Sequence, residues 1–179
     1  WFDLPKEPRC VVSLSAGGME KAYRRIFLHA VARELKQLGV PFSWVGVDTK
    51  LNSFDEYREY IGRSLVYFNP TWQSPRPRSR TEAMLSGCCV VTTPYHDAHE
   101  FIEDGVTGFL TSSQPYKDPR IMDNPEYTAQ IIKRLVMDEP ETALAVGQRG
   151  KEYARKHFNQ ETFAVQWYDF LTKKVGIAL

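Results

Sequence analysis

Short β-branched apolar runs, each leading through a loop into a stretch of helical period, recur along the first part of the chain, and this alternation constrains the fold more than any other feature. CVVSLS (10–15), FSWVGV (42–47), SLVYFNP (64–70), CVVTTP (89–94) and FLTS (109–112) read as strands. Between the first two, Tyr23, Ile26, Phe27, Ala30, Val31, Leu35 and Leu38 recur mostly at three and four, leaving Arg24, Arg25, Glu34 and Lys36 outside. That spacing predicts a helix over 20–38, closed by Gly39. FDEYREYIGR (54–63) is a second helix with Phe54, Tyr57 and Ile61 on one face, and TEAMLSG (81–87) a third. HEFI reads as a helical turn and EDGVTG as a tight turn on Gly105 and Gly108. From 123 to 174 the chain is nearly all helical, with one stripe of Ile131, Ile132, Leu135 and Val136 and another of Phe163, Trp167, Phe170 and Leu171. Strands alternating with helices imply an α/β fold, a Rossmann-like parallel sheet flanked by helices, here with C-terminal helices added.

A chain of 179 residues fits one domain. Trp1 to Arg9, with Pro5 and Pro8, reads as a linker (1–9) from a missing N-terminal domain, followed by an α/β core (10–115) and a helical C-terminal extension (116–179). A net charge of +1 gives no global pull toward nucleic acid or membrane. No apolar run reaches bilayer length and no signal-peptide pattern opens the chain, so a cytoplasmic location is expected by default. Cys10, Cys88 and Cys89 make no metal-ligand spacing and are expected to be reduced and structural.

In an open parallel sheet, ligands bind beyond the carboxyl ends of the strands, so the loops after Ser15, Val47, Asn69 and Pro94 should line a site. SAGGMEK (15–21) offers Gly17 and Gly18 for close backbone approach, a helix N-terminus suited to phosphate, and the point charge of Lys21. The same two glycines also suit a plain turn. PTWQSPRPRSRTEAML (70–85) sets Arg76, Arg78 and Arg80 immediately before a helix whose first turn holds Ser79, Thr81 and Glu82. This is anion-site chemistry, or else a solvated basic loop feeding a helix.

Read as one piece, 64–110 resembles the family 4 glycosyltransferases, whose GT-B fold sets two Rossmann-like domains face to face. SLVYFNPT, EAML, SG, VVTT and EFIEDGVTGFL fall in the order of that family's donor-binding C-terminal domain. The resemblance implies that Glu82 is the second glutamate of the E-x7-E signature, which binds the ribose hydroxyls of the donor nucleotide. It implies that Gly17 and Gly18 approach the diphosphate, that Lys21 stands for the phosphate-binding lysine, and that the backbone at Arg78 and Ser79 faces the donor phosphates. Glu100 matches a glutamate with a structural tendency.

The departures matter equally. Ser74 stands where the family has the first glutamate, the one contacting the transferred sugar, and SPRPR replaces E-G-F-G-L. That removes a charged acceptor near the anomeric carbon. The arginine of the family's R-x-x-x-x-K pair is not evident, so Arg76, Arg78 or Arg80 is a candidate source of the phosphate charge. Only TKLNS (49–53) separates Asp48 from Phe54, where the family inserts a strand and a loop that contacts the base.

The expectation is therefore a nucleotide-sugar-binding domain of a hexosyltransferase-type glycosyltransferase. It would carry out retaining transfer from a nucleoside-diphosphate sugar to an unidentified acceptor, without cofactor or metal, and would be inactive as an isolated domain because the acceptor domain lies elsewhere. A nucleotide-sugar 2-epimerase and a non-catalytic binding module are the rival readings. Peripheral membrane association of a full-length protein is left open, and nucleic acid is not expected as a partner. His96, Asp97 and His99 could transfer protons but fit a loop role better. Trp44, Tyr67 and Trp72 read as core or wall. The stripe on Phe163, Trp167, Phe170 and Leu171 reads as helix packing, though in the family the last helix crosses to the partner domain, which would leave part of it bare here.

Overall fold

A computed structural model describes residues 1–2, 4–13, 25–71, 77–95, 98–112 and 124–176. The strands β1 (Glu7–Ser13), β2 (Phe42–Val45), β3 (Ser64–Asn69), β4 (Cys89–Thr92) and β5 (Phe109–Leu110) form one sheet in the order β2-β1-β3-β4-β5. All four neighbouring pairs are parallel. The five expected strands are thus the five observed. β1 begins three residues before Cys10, because Glu7 pairs with Ser64 and the Arg9 guanidinium donates to the Tyr60 carbonyl and the Ser64 hydroxyl. Part of the expected 1–9 linker is therefore strand.

The helices are α1 (Arg25–Gln37), α2 (Phe54–Arg63), α3 (Arg78–Leu85), α4 (Ala98–Phe101), α5 (Pro125–Lys133), α6 (Pro140–His157) and α7 (Gln160–Asp169). A π-helical turn over Arg134–Asp138 follows α5, and another over Phe170–Val175 follows α7. Each helix start has a local cause where the chain supplies one. Ser53 caps α2 by accepting from the Glu56 N–H at 3.1 Å, and Asn124 and Asn159 cap α5 and α7 by accepting from the N–H groups of Tyr127 and Thr162. No described helix is long and apolar enough to cross a membrane.

Alternate residues of the buried strands feed two cores. Cys10, Val12, Val66, Phe68, Cys89 and Val91 face α1, α5 and the first π turn, while Val11, Tyr67 and Val90 face α2 and α3. Covering both faces is why the strands read as continuous apolar runs. Ile131, Ile132, Leu135 and Val136 lie in the first core, so the expected first C-terminal stripe is part of the central packing. α6 joins the layers through its glycines. A Cβ at Gly147 would lie 2.4 Å from the Gly87 carbonyl oxygen, so only glycine lets this helix press onto the turn that starts β4. The three thiols are free and buried, and burial pushes all three up, Cys88 to about 11.

Candidate functional site

The strand order places β2 on one side of β1 and β3 on the other. Their carboxyl ends therefore diverge into a crevice between β1 and β3, the switch point where this sheet topology offers room for a ligand. Ser13 ends β1 there, and the Tyr67 hydroxyl of β3 donates to its carbonyl at 3.4 Å. Beside them, α3 carries Glu82 onto the same edge.

Glu82 lies in the second turn of α3 and is 9% exposed. A buried carboxylate is costly unless its charge is met by donors, and here two donors among the described residues meet it, one at each oxygen. Arg78, one helical turn earlier, gives its Nε–H to Oε1 at 2.9 Å. Tyr57 of α2 gives its hydroxyl to Oε2 at 3.4 Å. Burial, offset by a hydrogen bond with Ser13 and reinforced by the Glu82 charge, pushes the Tyr57 phenol up to about 12. Tyr57 consequently remains a protonated donor across the physiological range.

α3 begins at Arg78, earlier than the expected start at Thr81, and Pro77 at its cap position offers no side chain to the first amides. The Pro77 carbonyl accepts from the Arg80 and Thr81 N–H groups at 3.1 and 3.4 Å. Among the described residues no side chain caps the earliest amides of the helix, and amides at a helix N-terminus favour anions. The helix closes through Ser86, whose N–H and hydroxyl both donate to the Glu82 carbonyl, and through Gly87 at a φ of 72°.

The expected site residues separate into groups. Glu82 and Arg78 come together, with Tyr57, which the sequence reading placed only on an apolar helix face. Ser79 lies near the helix start with its hydroxyl buried and without a partner among the described residues. Arg80 is 2% exposed, its guanidinium 5.9 Å from the Phe101 ring centroid, whereas the Arg78 side chain is 85% exposed. Of these two arginines, Arg78 is the accessible cation. Thr81 faces a different space, a cavity of about 680 Å³ bordered by Phe158, Asn159, Phe163, Trp167 and Phe170. Gly17, Gly18, Lys21, Ser74, Arg76, Trp72, His96 and Asp97 lie outside the described residues. His99 and Glu100 are exposed, and the Glu100 carbonyl accepts from Tyr153, a structural contact. Trp44 and Tyr67 are buried, as the wall reading expects.

A second polar group sits at the carboxyl ends of β3 and β4. Thr71 and Thr92 donate to the Asn69 side-chain and backbone oxygens at 2.8 and 3.0 Å, and the Thr93 hydroxyl donates to the Thr71 carbonyl. This network ties the carboxyl ends of β3 and β4 together and was not anticipated. The only signal for it in the sequence is the density of Thr and Asn at two strand ends. Asp48 and Thr49 close a tight turn, with Asp48 accepting from the Trp44 N–H at 2.7 Å, so α2 follows β2 directly and no extra strand intervenes. Among the described residues no cluster of His, Cys, Asp and Glu could hold a metal.

Comparisons with known proteins agree with this architecture. No curated protein sequence matches the chain. Among solved structures, an Anabaena protein, HepE, crystallised with UDP and glucose, superposes with a TM-score of 0.63 at 19% identity, covering 92% of this chain and 48% of that one. A glycosyltransferase from Rickettsia africae gives 0.70 at 14% identity, over 98% of this chain and 50% of that one. The C-terminal domain of the group 1 glycosyl transferase LpcC from Francisella tularensis gives 0.60 at 13% identity, over 88% and 89%. The chain thus spans about half the length of HepE and of the Rickettsia enzyme. At these identities the superpositions show a shared fold, that of one Rossmann-like half of a GT-B protein. The family model for "Glycosyl transferases group 1" matches residues 12–138, well over half of the 179, and the chain belongs to that family.

Proposed function

We propose that this chain binds a nucleoside-diphosphate sugar and forms the donor half of a retaining glycosyltransferase whose acceptor half lies outside it. The carrying observation is the Glu82 carboxylate: buried, set at the β1/β3 crevice, and, among the described residues, hydrogen-bonded once at each oxygen. A carboxylate has about four acceptor positions, so each oxygen keeps one for a neighbouring hydroxyl, which suits a vicinal diol such as ribose. The uncapped start of α3 would face the diphosphate, adding N–H groups and the helix dipole at the charge that grows as the sugar leaves.

UDP and glucose in HepE support the same ligand class here. The roles assigned to Lys21, Gly17 and Gly18 at the diphosphate rest on the sequence resemblance. Neither metal nor cofactor enters this reading, since arginine and helix amides supply the positive field. Catalysis would need the second domain to close over the donor, so this chain alone would bind without efficient transfer. The bare aromatics Phe163, Trp167 and Phe170 would turn toward that domain. A cytoplasmic location belongs to the same proposal.

The test is titration calorimetry with UDP, GDP and ADP. At least one should bind, and Glu82→Ala should weaken it tenfold or more, since a hydrogen bond to a charged group is worth about 1.5–3 kcal/mol. Absence of binding by all three at millimolar concentration, or equal binding by the variant, would sink the proposal.

A further inference from the structure

The two donors that hold Glu82 differ in what holds them. Arg78 reaches Oε1 from solvent, its side chain 85% exposed, and a long exposed chain fixes little. Tyr57, partly buried against the second core, reaches Oε2 at 3.4 Å, and its ring has aromatic neighbours. The Trp1 ring meets the Tyr57 ring edge-on at 6.1 Å and the Phe54 ring at 5.8 Å. Phe54 and Tyr57 are stacked at 6.1 Å. The Arg58 guanidinium lies 4.4 Å from the Phe2 centroid and 5.8 Å from that of Trp1. Lys6 then ties the same N-terminal segment to the body by donating to the carbonyls of Gly62 and Ser86, at 2.6 and 2.5 Å, the ends of α2 and α3. The N-terminal segment therefore clasps the two helices that carry Tyr57 and Glu82.

We infer that Tyr57 is a positioning residue for Glu82, and that the Trp1–Phe2 segment braces it, so that the seat of the N-terminal segment sets how well the site reads the donor ribose. The inference rests on the donor-site proposal above. A carboxylate free to rotate about its last bond could accept from one hydroxyl at a time. One held at Oε2 presents both oxygens in a fixed plane, and two vicinal hydroxyls can then be met together without further loss of side-chain freedom. The raised phenol pKa of about 12 keeps the donor proton in place at every pH where the protein would work. A purely structural Tyr57 would make no distinction between ligands with and without ribose hydroxyls.

That distinction is the readout. The full chain and its Tyr57→Phe and Trp1→Ala variants are titrated calorimetrically with UDP, GDP and ADP, each against its 2′,3′-dideoxy counterpart, and apo melting curves confirm that the variants fold. The parent should prefer the hydroxylated form of at least one nucleotide. Tyr57→Phe, which keeps the ring, should cut that preference about threefold to tenfold with little change for the dideoxy ligand, the worth of one hydrogen bond. Trp1→Ala should cut it by about twofold or more, the worth of one aromatic contact. A parent that binds both forms equally overturns the ribose reading of Glu82 and the inference with it. A parent with a clear preference that both variants retain overturns the positioning role alone. Equal weakening of both ligand forms by Tyr57→Phe also overturns it, since that is what a merely structural tyrosine would do.

Discussion

α3 and α7 are short helices of one chain that break the rule of apolar inside and polar outside in opposite senses. α3 buries Arg80 and Glu82 along with Ala83 and Met84, whereas α7 has no buried residue although it carries Phe163 and Trp167, 60% and 47% exposed. Burying a carboxylate is costly without partners, and α3 supplies them within the domain through Arg78 and Tyr57. Exposing aromatics forgoes their transfer free energy, and among the described residues α7 is held by near-neighbour contacts: the Asn159 cap, Glu161 in its first turn, the Thr162 hydroxyl on the Lys156 carbonyl and the Phe163–Trp167–Phe170 edge contacts. Under the proposed function the buried charge would meet the donor ligand, and the bare aromatic face would meet the second domain. One helix is thus integrated into the domain and the other is only attached to it.

The sharpest way to break this contrast is Met84→Ala. Met84 is 1% exposed in the core beneath α3, and its removal should cost about 2–5 kcal/mol, the loss of a buried side chain plus the cavity it leaves. For a domain of this size that corresponds to a melting temperature lower by roughly 4–20 °C. A fall of less than about 1 °C in calorimetry would mean that α3 is no better anchored than α7, and the comparison would fail.

Legibility in the sequence divides along the same line. The alternation of CVVSLS, FSWVGV, SLVYFNP, CVVTTP and FLTS was enough for five parallel strands, because a sheet covered on both faces writes itself as apolar runs. The strand ends were less legible. Glu7 and Arg9 join β1 through pairings to residues more than fifty positions away, which no local pattern encodes. In the candidate site, Glu82 was singled out by family order, whereas nothing in the sequence singled out the tyrosine that donates to it. Tyr57 sits at helical spacing between Phe54 and Ile61 and looks like core until the hydroxyl is asked for a partner. Arg80 misled for a similar reason: three arginines at alternate positions suggest one basic loop, yet α3 starts early enough to turn Arg80 inward while Arg78 stays out. A helix that is buried on several sides carries no clear stripe from which to read direction.

A smaller effect sharpens the account of α3. Arg78→Ala removes an ion pair whose cation is solvent-exposed while its carboxylate is buried, and because Tyr57 still donates to Glu82, apo stability should change by only about 1 kcal/mol. Since exposed pairs are screened, the difference between parent and variant should shrink further as salt is raised. The measurement is urea unfolding at low and high ionic strength. A salt-insensitive loss of about 2 kcal/mol or more would show that Arg78 is part of the interior, and Glu82 would then owe its burial to both arms and not chiefly to Tyr57.

The smallest effect is expected in α7. Trp167→Ala should shift stability by no more than about 0.5 kcal/mol, the range of surface substitutions, although tryptophan to alanine inside a core costs about 3–5 kcal/mol. Urea unfolding of parent and variant decides it, because the linear slope also reports the surface exposed on unfolding. If the helix is only attached, midpoint and slope should both stay within error of the parent. A loss above about 2 kcal/mol would mean that Trp167 is covered in solution. Sedimentation velocity across protein concentration then separates two covers. A monomer would mean that α7 folds down into the cavity beside Thr81, bringing the last helix against the start of α3. A mass that rises with concentration in the parent but not in Trp167→Ala would mean that two chains cover each other's aromatic faces. Either result would replace the contrast between an integrated and an attached helix with one between two integrated ones.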